Sequence, residues 1–186
     1  MMLRLVPLVL ILLLPACGDK SARFLIAPVA TAEKVSVRVS SIEVLDVSLP
    51  TYAAASEILV QSADGSLKPE KNAIWADDPV RGVTQAIARD LDTRTTATAA
   101  VEPWPLDASP DVQLSIRVER MVARADGLFE LTGQYAVAAR ASDITEFVER
   151  FSITTPLGGT GPGSVANATG TALSTLGGQI AARLKR

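Results

Sequence analysis

The chain has 186 residues, 48% of them hydrophobic and 20% charged, which is enough to bury one core and too short for two ordinary domains. Its formal net charge is −2 and its basic residues form no long run, which argues against a nucleic-acid surface or a polybasic membrane patch. Histidine is absent, so the commonest acid–base side chain at neutral pH and the commonest metal ligand are both missing.

The first residues read as an export signal. Arg4 precedes an unbroken apolar stretch, Leu5 to Leu14, too short to span a bilayer, which takes about 20 residues. It closes with Leu14-Pro15-Ala16-Cys17-Gly18, and Cys17 is the single cysteine of the chain. Those residues resemble a bacterial lipobox. The resemblance implies that the Cys17 thiol takes a diacylglycerol, that a peptidase cuts between Ala16 and Cys17, and that the new N-terminus is acylated. Two or three acyl chains give stable anchoring, since each buried CH2 contributes about 0.8 kcal/mol. Residues 1–16 are therefore expected to be a signal peptide, 17–23 the lipidated N-terminus and tether, and 24–186 the domain. A six-residue polar tether reaches about 20 Å at most.

Phe24-Leu25-Ile26 reads as a short first strand stopped by Pro28. Val35, Val37 and Val39 share one face, and Ile42 and Val44 fall on the opposite parity. A bulge near Ser40-Ser41 would turn both sets to the core of one long strand ending at Leu49-Pro50. Residues 57–61 read as another strand, and Asp64-Gly65 is a hairpin signal before Leu67. Asp77-Asp78-Pro79 opens a helix with a carboxylate cap and Pro at the first position. Val80, Val83, Ile87 and Leu91 follow at helical spacing, and the helix fades into the Thr-rich stretch 93–98.

Pro103-Trp104-Pro105 and Pro110 bound a loop. A three-stranded meander follows, carried by Val112, Leu114, Ile116 and Val118, then Leu131, Tyr135 and Val137, then Phe147, Phe151 and Ile153, with Asp126-Gly127 as a turn. After a glycine-rich loop, Gly158 to Gly163, a closing helix carries Val165, Ala168, Ala172, Leu173, Leu176, Ile180 and Leu184. The expected architecture is α/β, of α+β character: a single mixed or antiparallel sheet with two helices packed on one face.

Candidate chemistry is thin. The glycine loop lacks the lysine of a phosphate-binding loop and the GxGxxG spacing, so it reads as a connection between strand and helix. Without histidine no Ser-His-Asp triad exists, and no Ser-x-x-Lys pair replaces it. Asp77 and Asp78 are explained by helix capping. No catalytic residue, metal site or cofactor is expected, apart from the covalent lipid on Cys17. The large aromatics of the loops, Tyr52, Trp75 and Trp104, are candidate partner contacts, although Tyr52 and Trp75 fit better as lids folded over the edge of the core.

The order of these features is similar to that of the auxiliary lipoproteins of ABC-type transport systems, the family of paraquat-inducible protein C. The landmarks are Cys17, Phe24-Leu25-Ile26, Leu49-Pro50-Thr51-Tyr52, Ile58-Leu59-Val60, Trp75-Ala76-Asp77, the meander and the closing helix. Ala53 departs from the larger apolar residue usual after the tyrosine, and Asp77-Asp78 supplies two acids where one is usual. The resemblance implies a non-enzymatic lipoprotein on the periplasmic face of the outer membrane. It would dock the MCE-domain (mammalian cell entry) protein of the same system and support intermembrane lipid transport and envelope integrity. Its partners would be that protein and the membrane, not nucleic acid, and a ring-forming homo-oligomer would suit docking. Asp19, two residues after Cys17, is the kind of acid that retains some lipoproteins at the inner membrane, so sorting stays open. The alternative is another outer-membrane assembly lipoprotein, a cell-wall enzyme activator or an envelope-assembly factor.

Overall fold

A computed structural model describes residues 20–27, 29 and 34–185. The expected signal peptide (residues 1–16, with Ala16), Cys17 and Pro28 lie outside the described residues. Ten elements follow one another: β1 (Ala22–Phe24), β2 (Ser41–Val44), β3 (Glu57–Gln61), β4 (Leu67–Trp75), α1 (Pro79–Arg94), β5 (Thr98–Val101), β6 (Val112–Ala123), β7 (Leu128–Ala139), β8 (Phe147–Pro156) and α2 (Pro162–Leu184).

The meander is the centre of the molecule. β6 pairs antiparallel with β7 from Val112↔Ala139 to Ala123↔Phe129, and β7 pairs antiparallel with β8 along its length. Val112, Leu114, Ile116 and Val118 are buried. A bulge between Val118 and Arg120 then shifts the phase, so that Met121 and Ala123 face the core in turn. The other edge of β6 is shared. β2 pairs parallel near its start (Ile42↔Val112), and β3 touches its end (Val60↔Ala123). β5 extends the sheet beyond β2, and β4 then β1 extend it beyond β3. The result is one eight-stranded mixed sheet among the described residues, with β1 and β5 at the two ends of one strand path.

Both helices bury one stripe. α1 contributes Val83, Ile87 and Leu91, and α2 contributes Val165, Ala172, Leu173, Leu176 and Ile180, all in one core cluster with the sheet. Asp78 caps α1 by accepting the Arg81 N–H at 3.0 Å, and Pro79 stands in the first turn. Between the helices, Arg94 donates to both oxygens of Asp90 (2.8 and 2.9 Å) and to the hydroxyl and carbonyl of Ser174. The α/β architecture expected from the sequence is therefore the one observed.

Several boundaries differ. The first strand is Ala22–Phe24 rather than Phe24–Ile26, so Ala22 and Arg23 of the expected tether are already paired with Ala73 and Ile74 of β4. The long strand from Val35 is broken. The Val35 N–H donates to the carbonyl of Arg94, and the Arg38 N–H to that of Leu184. This segment thus takes up carbonyls that the ends of α1 and α2 leave without helical partners. Further on, the Val47 N–H donates to the Thr84 hydroxyl at 3.0 Å, so a side chain stands where a strand neighbour was expected. β4 runs nine residues, of which the sequence pattern signals only Leu67, and β5 begins at the last residue of the Thr-rich stretch.

Candidate functional site

The acids at the start of α1 are engaged locally. Asp77 accepts the Asp78 N–H at 2.9 Å and pairs with Arg81 at 3.6 Å, so both acids serve that helix terminus. Among the described residues, no group of three or more Asp, Glu, His or Cys side chains lies together as a metal site. The glycine loop connects β8 to α2. Gly158 and Gly161 have φ of 70° and 86°, the left-handed region that glycine enters without a Cβ clash. A polar cluster does exist between β7, β8 and α2. The buried Tyr135 hydroxyl donates to Glu149 at 2.9 Å, Glu149 also accepts from Arg183, and the Arg183 guanidinium lies 4.5 Å over the Phe147 ring. Burial, then the hydrogen bond to Glu149, pushes the Tyr135 phenol well above its ordinary value. The bond from Arg183, then that from Tyr135, holds Glu149 below the usual carboxylate range. Such a cluster ties helix to sheet.

The three aromatics part company. Trp75 is the last residue of β4, paired with Phe24 and only 8% exposed, so it belongs to the core. Tyr52 is half-buried and its hydroxyl accepts the Met121 N–H at 3.1 Å, fastening the turn after Pro50 to β6. Trp104 sits on the loop between β5 and β6. Its backbone N–H donates to Glu43 at 2.9 Å, and its indole N–H donates to the Ala108 carbonyl at 2.8 Å. Two residues on, Leu106 stands 61% exposed. The loop is thus an apolar tip held in a defined shape, and of the three aromatics Trp104 is the one on an outward-facing segment.

Glu43 was not legible as a site residue. It lies between Ile42 and Val44 on the opposite parity, where strand alternation suggests a solvated side chain. It is 6% exposed because the Trp104 loop covers it, and its second oxygen accepts from Gln113 at 2.5 Å. Gln113 in turn accepts from Arg140 at 2.7 Å. Asp111 closes the other end of the loop, accepting the Ser40 N–H while its own N–H donates to the Ser41 hydroxyl.

A second apolar surface precedes α1. Leu25 is 70% exposed and Val29 42%, and shallow grooves of about 330 and 300 Å3 separate the segment 24–29 from α1. Ile26 and Arg89 line both grooves.

The sequence profile of the ABC-type transport auxiliary lipoprotein component family matches residues 24–181. The chain belongs to that family. As an ABC-type transport auxiliary lipoprotein it is a component of a transport system and not a member of a known enzyme family, and a lipoprotein of such a system is membrane-associated. Two solved structures share the fold. A crystal structure of an uncharacterized protein is 16% identical, with 83% of this chain and 100% of the other covered at a TM-score of 0.67. A Xanthomonas campestris protein of the DUF330 family is 18% identical, covering 88% of this chain and 95% of its own, at a TM-score of 0.66. At these identities the likeness speaks for the fold alone. No curated protein sequence matches the chain significantly.

Proposed function

We propose that this auxiliary lipoprotein is held by lipid on Cys17 to the periplasmic face of the outer membrane. There it docks the periplasmic MCE-domain protein of its transport system and supports lipid transport between the membranes. The observation that carries the reading is the family match across residues 24–181, which takes in the folded domain from the end of β1 to the last turns of α2. The local chemistry agrees with binding rather than turnover. The acids at the start of α1 are consumed by capping and pairing, and the loop carrying Trp104 and Leu106 is pre-shaped by Glu43, which lowers the ordering cost of an apolar contact. We assign the docking contact to that loop.

The test is crosslinking of the tagged full-length protein in native membranes, followed by purification and mass spectrometry of the partners. Recovery of an MCE-domain protein, lost in Cys17→Ala, is expected. Recovery of a cell-wall synthase or an envelope-assembly protein in its place would overturn the proposal and favour the assembly-lipoprotein reading.

A further inference from the structure

Of the five large apolar side chains exposed among the described residues, two fall within a five-residue stretch, Leu25 and Val29. That stretch begins eight residues after Cys17, so a lipid on that cysteine holds Leu25 within about 30 Å of the bilayer. The first residue of β1, Ala22, lies within about 18 Å of it. Exposed basic side chains border the stretch: Lys20 before it in the chain, and Arg89 across the grooves on α1.

The neighbouring acids are engaged within the fold. Asp77 pairs with Arg81, Asp78 caps α1, and Asp90 is held by Arg94 and Ser174. What faces outward is an apolar ridge whose border carries the cations Lys20 and Arg89 and, at one groove, the carboxylates of Asp77 and Asp78.

We infer that the Leu25–Val29 ridge is a second membrane contact. It seats its apolar side chains in the interfacial layer of the bilayer, while Lys20 and Arg89 meet lipid phosphates. The inference rests on the anchoring part of the proposed function. The chemistry matches a bilayer interface, where apolar groups sink to the acyl boundary and cations stay among the headgroups. A short tether makes the contact intramolecular in effect, so a small apolar area is sufficient to hold it. The domain would then stand in a fixed orientation on the membrane instead of swinging about its lipid. Its sheet path would run from β1, beside the ridge, to β5, which leads into the Trp104 loop.

The test uses the mature, lipidated protein in vesicles of phosphatidylethanolamine and phosphatidylglycerol. Lipidation occupies the Cys17 thiol, so Leu25→Cys and Val29→Cys each offer one free thiol for an environment-sensitive dye. Ser152→Cys on the exposed face of β8 serves as the reference. The expected result is blue-shifted emission at 25 and 29, with quenching by brominated lipid several-fold above that at 152. Emission as water-like as at 152, in protein that floats with the vesicles, would overturn the inference and leave the anchor intact. Blue-shifted emission without lipid quenching would place a second copy or the chain's own leading residues on the ridge, and would also overturn it. An N-terminal peptide without acyl mass would overturn the anchoring reading and this inference with it.

Discussion

The buried carboxylate of Glu43 in β2 accepts the backbone N–H of Trp104, 61 residues away in sequence, at 2.9 Å. Glu43→Ala leaves that N–H and the Gln113 amide without their acceptor, at an expected cost of about 1–3 kcal/mol. Glu43→Gln keeps one accepting oxygen and should lose less. Chemical denaturation reads the stability change, and limited proteolysis should show earlier cleavage between residues 103 and 110 in the alanine variant.

Two glycines on α2 should respond in opposite directions to the same substitution. A Cβ at Gly170 would overlap the carbonyl oxygen of Ala27, while at Gly178 the nearest atom is Arg94 Nη1 at 3.5 Å. Gly170→Ala must displace the backbone before Val29 and should destabilise by about 1–3 kcal/mol. Gly178→Ala should stabilise by roughly 0.5–1 kcal/mol through the helix preference of alanine. Thermal unfolding of the two variants beside the parent protein decides it.

The Tyr135–Glu149–Arg183 cluster gives stability two pH limbs. Tyr135 titrates above its ordinary value of 10.0 in the folded chain, because burial and the Glu149 hydrogen bond favour the neutral phenol. Its contribution is full below pH 10 and falls as pH rises beyond it. Glu149 is shifted down from 4.5, by Arg183 first and Tyr135 second, so its contribution is present above that value and is lost as pH falls through the lowered one. Denaturation curves across pH should show the alkaline limb flattened in Tyr135→Phe and the acid limb flattened in Glu149→Gln.

Asp78 and Asp77 stand side by side and should not be equivalent. Asp78→Ala removes the side-chain cap of α1 and should cost about 1 kcal/mol. Asp77→Ala removes an exposed ion pair and one local hydrogen bond, and should cost less, since exposed pairs contribute at most about 1 kcal/mol. Urea denaturation of the two single variants and the double variant measures both effects.

What the sequence made legible was local. The alternation from Val112 to Val118, the Asp126-Gly127 turn, the Asp78-Pro79 helix start and the apolar spacing of α2 each depend on neighbours a few residues away, and each stands in the structure. The differences come from distant partners. Ala22–Phe24 is a strand because β4 lies beside it, and Thr98–Val101 because β2 does. Val35 to Arg38 fails to continue as a strand because helix ends accept its N–H groups. The aromatics could be sorted but not explained: the sequence favours Trp75 and Tyr52 as lids over the core, yet Trp75 is core through its pairing with Phe24, and Trp104 owes its place to Glu43, whose burial no alternation pattern signals.

The most direct test of the docking account is a photo-crosslinking amino acid at Leu106, beside Trp104, in living cells, with the same probe at the exposed Ala63 in the β3–β4 turn as reference. The account predicts an adduct with an MCE-domain protein from position 106 that is weak or missing from 63, and that is reduced in Glu43→Ala. An adduct of equal strength from both positions, or one from 106 to a cell-wall synthase, would contradict it.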